Sequence, residues 1–248
     1  MTQLPDSLDH AIAQAIEATK AAIADGRTRI QIELLFPEVK VMPLAQQFIA
    51  AFADMDDTLR VFFPDPGAAA LARRDWGETP YAIRGIGELK AQIQPNEQLF
   101  LFIEPSSVEV QQVEQLCQEA GDRPVVMLMP RMDDVMTIGI GYAARQLRER
   151  FLNQFEASYY IRPLDKVAVF RTYPSLWQVW IEDDQGDYQL FSEETQKPVG
   201  DALEQILLRA SGSTPADPST ANPSAAKLTV PSRGLLGNLK QFLRALSQ

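Results

Sequence analysis

The 248-residue chain holds one cysteine, Cys117, and one histidine, His10. A single cysteine excludes an intrachain disulfide, and one histidine with one cysteine excludes a zinc site of the usual Cys/His type. Basic residues are also scarce: 23 Lys and Arg stand against 33 Asp and Glu, a formal net charge of −10. Polyanions are held by clusters of Lys and Arg, so this balance argues against nucleic acid as a partner. No apolar run reaches the ~18 residues of a membrane span. The first residues are acidic where a secretory or transit leader would be basic, so a soluble, cytoplasmic protein is expected. What remains is ordinary globular composition, 46% hydrophobic and 23% charged.

Apolar runs and helix punctuation alternate through the first half. Ser7 precedes a helical stripe of Leu8, Ile12, Ile16, Thr19 and Ile23, closed by Gly26. Strands are expected at 29–36, 59–63, 99–103 and 125–129, with helices at 43–52, 66–75 and 108–119 between them. Asp65 followed by Pro66 is a cap followed by a first-turn proline. Ser106 or Ser107 would cap the helix from Val108. Strands apolar on both faces and alternating with helices imply a buried, mostly parallel sheet. The stretch 81–93 is ambiguous, with room for a short strand and a helical turn. The second half reads as a helix over 142–155, then an antiparallel meander of strands at 159–162, 167–173, 177–183 and 188–192. A helix over 200–210 closes an α/β domain of residues 1–210.

Residues 211–232 carry four prolines and almost no large apolar side chains, the composition of a disordered linker. Leu235, Leu236, Leu239, Phe242, Leu243 and Leu246 then share one helical face, with Lys240 and Arg244 beside them. The tail from Ser211 has four basic residues and one acidic, so the preceding 210 residues hold a net −13. An amphipathic, basic helix on a long linker suits an anionic membrane surface or an acidic partner.

Each expected parallel strand ends in proline with polar company. Asp65, Glu104, Ser106, Arg131 and Asp133 therefore fall at the strand carboxyl ends, where open α/β sheets bind ligands. A small molecule or a divalent cation would suit them, since carboxylates favour Mg²⁺. Helix capping and turn formation are the plainer account of the same residues. Gly139-Ile140-Gly141-Tyr142-Ala143-Ala144 matches G-x-G-x-x-A, but it follows the fourth strand across an acidic turn. A glycine turn entering a helix is the plainer account. No catalytic residue, metal site or cofactor is assigned. His10 lies off its helix stripe, Cys117 reads as a buried inert thiol, and Arg145, Arg148 and Arg150 read as a solvated helix edge. Trp180 alternates against Trp177, Val179 and Ile181; it marks either a contact surface or the floor under the last helix.

Four segments resemble a family of cyanobacterial and plastid proteins carrying a domain of unknown function. They are FFPDPGAAALARRDW (62–76), IEPSSVEVQQVEQLCQEAG (103–121), GIGYAARQLRERFLNQFEASYYIRPL (139–164) and VFRTYPSLWQVW (169–180). Plant members include low-photosystem-II-accumulation assembly proteins and the C-terminal extension of a plastid adenylate kinase. The resemblance implies a non-enzymatic role in assembling or maintaining photosynthetic, photosystem II-type complexes at the thylakoid, and a cyanobacterial source. It supplies no catalytic residues. An enzyme or ligand sensor using the strand-end crevice is the alternative, and a link to nucleotide metabolism rests on the adenylate kinase relative.

Overall fold

The computed structural model describes residues 3–132 and 142–210. The expected linker, the C-terminal helix and Gly139 to Gly141 lie outside the described residues.

Helix α1 (Leu8–Ala24) starts where Ser7 stops the chain in an extended conformation, its hydroxyl accepting the His10 amide at 3.1 Å. The side chains it buries are mostly small: Ala11, Ala15, Ala18 and Ala22 with Ile12 and Thr19. Leu8, Ile16 and Ile23 of the expected stripe pack at its margin. An alanine face lets the helix axis lie close to the sheet beneath it.

Among the described residues nine strands form one sheet: β1 (Arg29–Leu34), β2 (Leu59–Phe63), β3 (Ala82–Gly85), β4 (Leu99–Ile103), β5 (Val125–Leu128), β6 (Glu156–Leu164), β7 (Val167–Thr172), β8 (Trp177–Glu182) and β9 (Tyr188–Glu194). Their order is β3-β2-β4-β5-β1-β6-β7-β8-β9. The first six are mutually parallel and the last four run antiparallel. Strand β6 belongs to both sets: Ile161 opposes Leu34 in parallel on one side and Phe170 antiparallel on the other. The parallel set thus has two strands more than the sequence pattern indicates. One is β6; the other is β3, the short strand that the stretch 81–93 allows, whose four residues are too few to show a period.

Helices α2 (Val41–Ala50) and α3 (Pro66–Trp76) cover one face beside α1, burying Ile30, Ile32, Val61, Leu101 and Val126. Helix α4 (Val110–Ala120), with Phe151 and the margin of α5 (Tyr142–Arg150), covers Phe62, Phe100, Phe102 and Met127 on the other. Helix α6 (Asp201–Ala210) lies on that second face further along, its Ile206 against Val167 and Val179. Trp180 therefore does not lie under the last helix. It packs half-buried at the margin of the α1-side core, its indole N–H donating to Gln178 at 3.1 Å.

Candidate functional site

The ligand crevice of an open α/β sheet opens where neighbouring strands send their connections to opposite faces. That condition is met twice here. The chain leaves β2 for α3 on the first face and leaves β4 for α4 on the second. It likewise leaves β1 for α2 on the first face and β5 for the second. Asp65, Glu104 and Ser106 follow the strands flanking the first opening, and Arg131 follows a strand flanking the second. The residues are thus brought to one edge of the sheet, as expected, but around two openings. Asp133 lies outside the described residues.

The backbone at this edge is unusual. Glu104 and Met129, the residues directly after β4 and β5, have φ of 48° and 56°, and Glu38 beyond β1 has 65°. These are left-handed conformations that non-glycine residues adopt at a cost of about 1 kcal/mol or more each. They turn the chain sharply off three adjacent central strands.

Each described polar group is nevertheless engaged locally. The Asp65 carboxylate accepts the Ala68 amide at 2.9 Å and caps α3. Ser106 caps no helix directly: α4 begins at Val110, later than expected, and Glu109 is its boundary residue. Ser106 instead holds the turn, its hydroxyl donating to Glu109 at 2.6 Å and accepting the Val108 amide at 3.2 Å. Glu109 also accepts the Ser106 amide at 3.1 Å. Glu104 and Arg131 form an ion pair with each other. Below them β4 and β5 stay zipped past their left-handed residues, the Arg131 amide donating to Pro105 at 2.8 Å and Ser107 to Arg131 at 3.2 Å. The loops at this edge expose two apolar tips, Leu89 at 98% and Val108 at 82%. Among the described residues no three His, Cys, Asp or Glu side chains gather as a metal site.

Behind the α3 cap, Gly85 at the end of β3 lies against the helix start. A Cβ there would stand 2.6 Å from the Pro66 nitrogen and 2.7 Å from the Asp65 carbonyl carbon. The Gly85 amide donates to Glu88 at 3.1 Å.

Sequence reasoning missed a second polar group, on the sheet face between α5 and α6. Gln31 and Glu33 alternate with the buried Ile30, Ile32 and Leu34 of β1, and such positions read as solvent-facing. Here Glu33 is mostly buried and receives the Gln31 amide at 2.8 Å and the Lys197 ammonium at 3.6 Å. Lys197 stands 4.0 Å above the Tyr160 ring centre and 5.7 Å from that of Trp177. Arg171 lies on the same Trp177, 5.3 Å away, and pairs with Glu156 at 2.6 Å. The cluster ties the segment before α6 to the centre of the sheet. The sequence offers only one pointer to it: Lys197 is the first basic residue after Arg171.

The remaining candidates resolve simply. His10 contacts Asp6 at 2.9 Å in the first turn of α1. Cys117 is buried, and burial pushes its thiol up to about 12. Arg150 is not merely solvated: it makes a two-pronged pair with Glu114 of α4, at 2.8 and 2.9 Å.

The fold is thus an open α/β sheet with an antiparallel extension, and its strand-end residues serve turns, caps and ion pairs. The chain belongs to the family defined by the domain of unknown function DUF1995, which matches residues 5–205. That match reaches from the N-cap region of α1 into α6. No solved structure matches the chain. Among the described residues no helix is long and apolar enough to cross a membrane.

Proposed function

We propose that the chain is a non-enzymatic accessory factor in the assembly or maintenance of photosynthetic complexes, working at the thylakoid surface from the cytoplasmic side. Its basic C-terminal segment, Leu235 to Leu246, holds it to an anionic membrane or to a membrane complex. The observation that carries this reading is the use of the strand-end groups. Asp65, Ser106, Glu104 and Arg131 point their hydrogen bonds at the protein's own turns, while Leu89 and Val108 present apolar tips outward. Such an edge suits contact with another protein. The photosynthetic setting is supported by the four resembling segments.

The test is capture from cyanobacterial membranes with full-length protein and with a chain lacking 211–248. Photosystem II subunits retained by the full-length protein and lost by the shortened one are expected. Equal retention by both would remove the tether, and recovery of no photosynthetic subunit would overturn the reading.

A ligand-sensing reading has one observation in its favour: the three left-handed residues around the paired openings. Titration calorimetry of the full chain with Mg²⁺ and with ATP decides it, heat of binding being the result that favours a sensor.

A further inference from the structure

Strand β9 ends the sheet, and among the described residues no strand pairs with its outer edge. Exposed edges are commonly blunted by Lys, Pro or a bulge, because their unpaired N–H and C=O groups invite another strand. The β9 sequence, Tyr188 to Glu194, has neither Lys nor Pro, and it leaves Leu190 and Phe191 each 44% exposed. It does carry a bulge: Val179 opposes Ser192 while Trp180 opposes Leu190, so Phe191 is the extra residue. The bulge divides the edge into two short straight stretches, which fits a short added strand and not a long one.

Charge narrows the choice of occupant. From Thr172 to Gln196 there are six carboxylates and no Lys or Arg. A second copy would set like charges edge to edge, which is unfavourable, whereas a basic strand would be drawn in. The chain carries such a segment. Helix α6 ends beside β9, where Arg209 lies 3.9 Å from Glu194. Beyond it, Lys227-Leu228-Thr229-Val230 stands between Pro223 and Pro231, the single run between 211 and 232 that pairs β-favouring residues with a positive charge. The intervening residues, 211–226, span about 22 Å as a flexible coil, comparable to the ~23 Å length of a seven-residue strand.

We propose that Lys227–Val230 adds to the outer edge of β9 as a further strand, supplied by the chain's own C-terminal segment. Backbone pairing would satisfy the outward groups of β9, alternate side chains would shade Leu190 or Phe191, and Lys227 would enter the field of the six carboxylates. Tethering raises the local concentration of the segment to the order of millimolar, enough for a weak strand to stay docked. The inference stands apart from the membrane reading. It sets where the tether starts: at Pro231 and not at Ala210.

Hydrogen exchange on the full-length protein tests it, comparing the natural chain with Thr229→Pro, which removes a donor and bars the strand conformation. Slower exchange of the 188–194 and 227–230 amides in the natural chain, by about tenfold or more, is expected. Lys227→Glu should reduce that protection, and circular dichroism should stay unchanged in both variants. Equal exchange in the natural chain and Thr229→Pro overturns the proposal. So does protection of β9 that rises with protein concentration, which would assign the edge to a second copy. Liposome cosedimentation of Thr229→Pro reads the tether separately, because the proline leaves the residues from 235 onward untouched.

Discussion

Arg60 of β2 and Glu97 ahead of β4 form an ion pair whose side chains are 7% and 3% exposed. Glu97 also accepts the Gln94 amide at 2.8 Å, and Arg60 donates to the Lys90 carbonyl at 3.3 Å. The pair pins the connection between β3 and β4, which has no helix of its own, onto the sheet. Its worth lies in the cost of breaking it. Glu97→Ala, leaving a guanidinium buried without its partner, should cost about 3–5 kcal/mol, whereas replacing both residues by Met should come much closer to neutral. Urea unfolding of Glu97→Ala and of the double Met variant checks this.

The Lys197 clasp should be weaker because the ammonium is partly solvated. Lys197→Ala removes the contacts to Tyr160 and Trp177 and the pairing to Glu33, and should cost about 1–2 kcal/mol. The loss should appear locally, as faster hydrogen exchange in α6, before it appears in global unfolding.

Cys117 predicts an alkaline limit. Its thiol is held up to about 12 by burial, while an unfolded thiol ionises near 8.5. Above that lower value the unfolded chain releases a proton that the folded chain keeps, so stability falls as pH rises. By pH 10 the loss should be about 2 kcal/mol, and Cys117→Ala should remove this slope. Native protein at pH 8 should resist iodoacetamide and react once unfolded.

Glu114 predicts the opposite limit. Its hydrogen bonds from Arg150 hold its carboxyl below the usual glutamate range. That contribution is present above the ordinary glutamate pKa and is lost as pH falls through the lower folded value. The pair is partly solvated, so it is worth a few tenths to about 1 kcal/mol. Glu114→Gln should therefore narrow the gap to the natural protein as pH falls from about 6 to 3, measured by thermal melts.

At the sheet edge, Asp65→Ala should cost about 1 kcal/mol through the lost cap, and Asp65→Asn much less, since Asn caps as well. Gly85→Ala should be worse than either, because its new methyl meets the backbone of Asp65 and Pro66, which cannot yield as a side chain can. If Asp65→Ala left stability intact and abolished binding of the captured complex, the residue would belong to a contact and not to the helix.

The elements that sequence reading located are those with strong local signals. Leu59–Phe63 and Leu99–Ile103 are unbroken apolar runs, and Asp65-Pro66 punctuates α3 where expected. Those it missed depend on neighbours distant in the chain. Alternation in β1 shows which side chains share a face, but not that β5 and β6 flank them. Gln31 and Glu33 look solvent-facing for that reason, and the pairing of Glu33 with Lys197 is invisible without the tertiary structure. At the edge, Asp65, Glu104, Ser106 and Arg131 were recognisable as strand-end residues. That Glu104 and Arg131 satisfy each other was not, because 27 residues separate them.

The position of β1 bears on the order of events at the ribosome. Made before either of its neighbours, it lies between β5 and β6, with Ile30 against Val126 and Ile32 against Tyr159. At ~5–20 residues per second, neither neighbour exists until about 5–25 seconds after β1 is synthesised. An apolar strand waiting that long without its partners must be shielded in another way, and the alanine face of α1, made just before it, is already to hand. The protein's N-terminal half is therefore where nascent-chain chaperones should be found, leaving when β6 arrives.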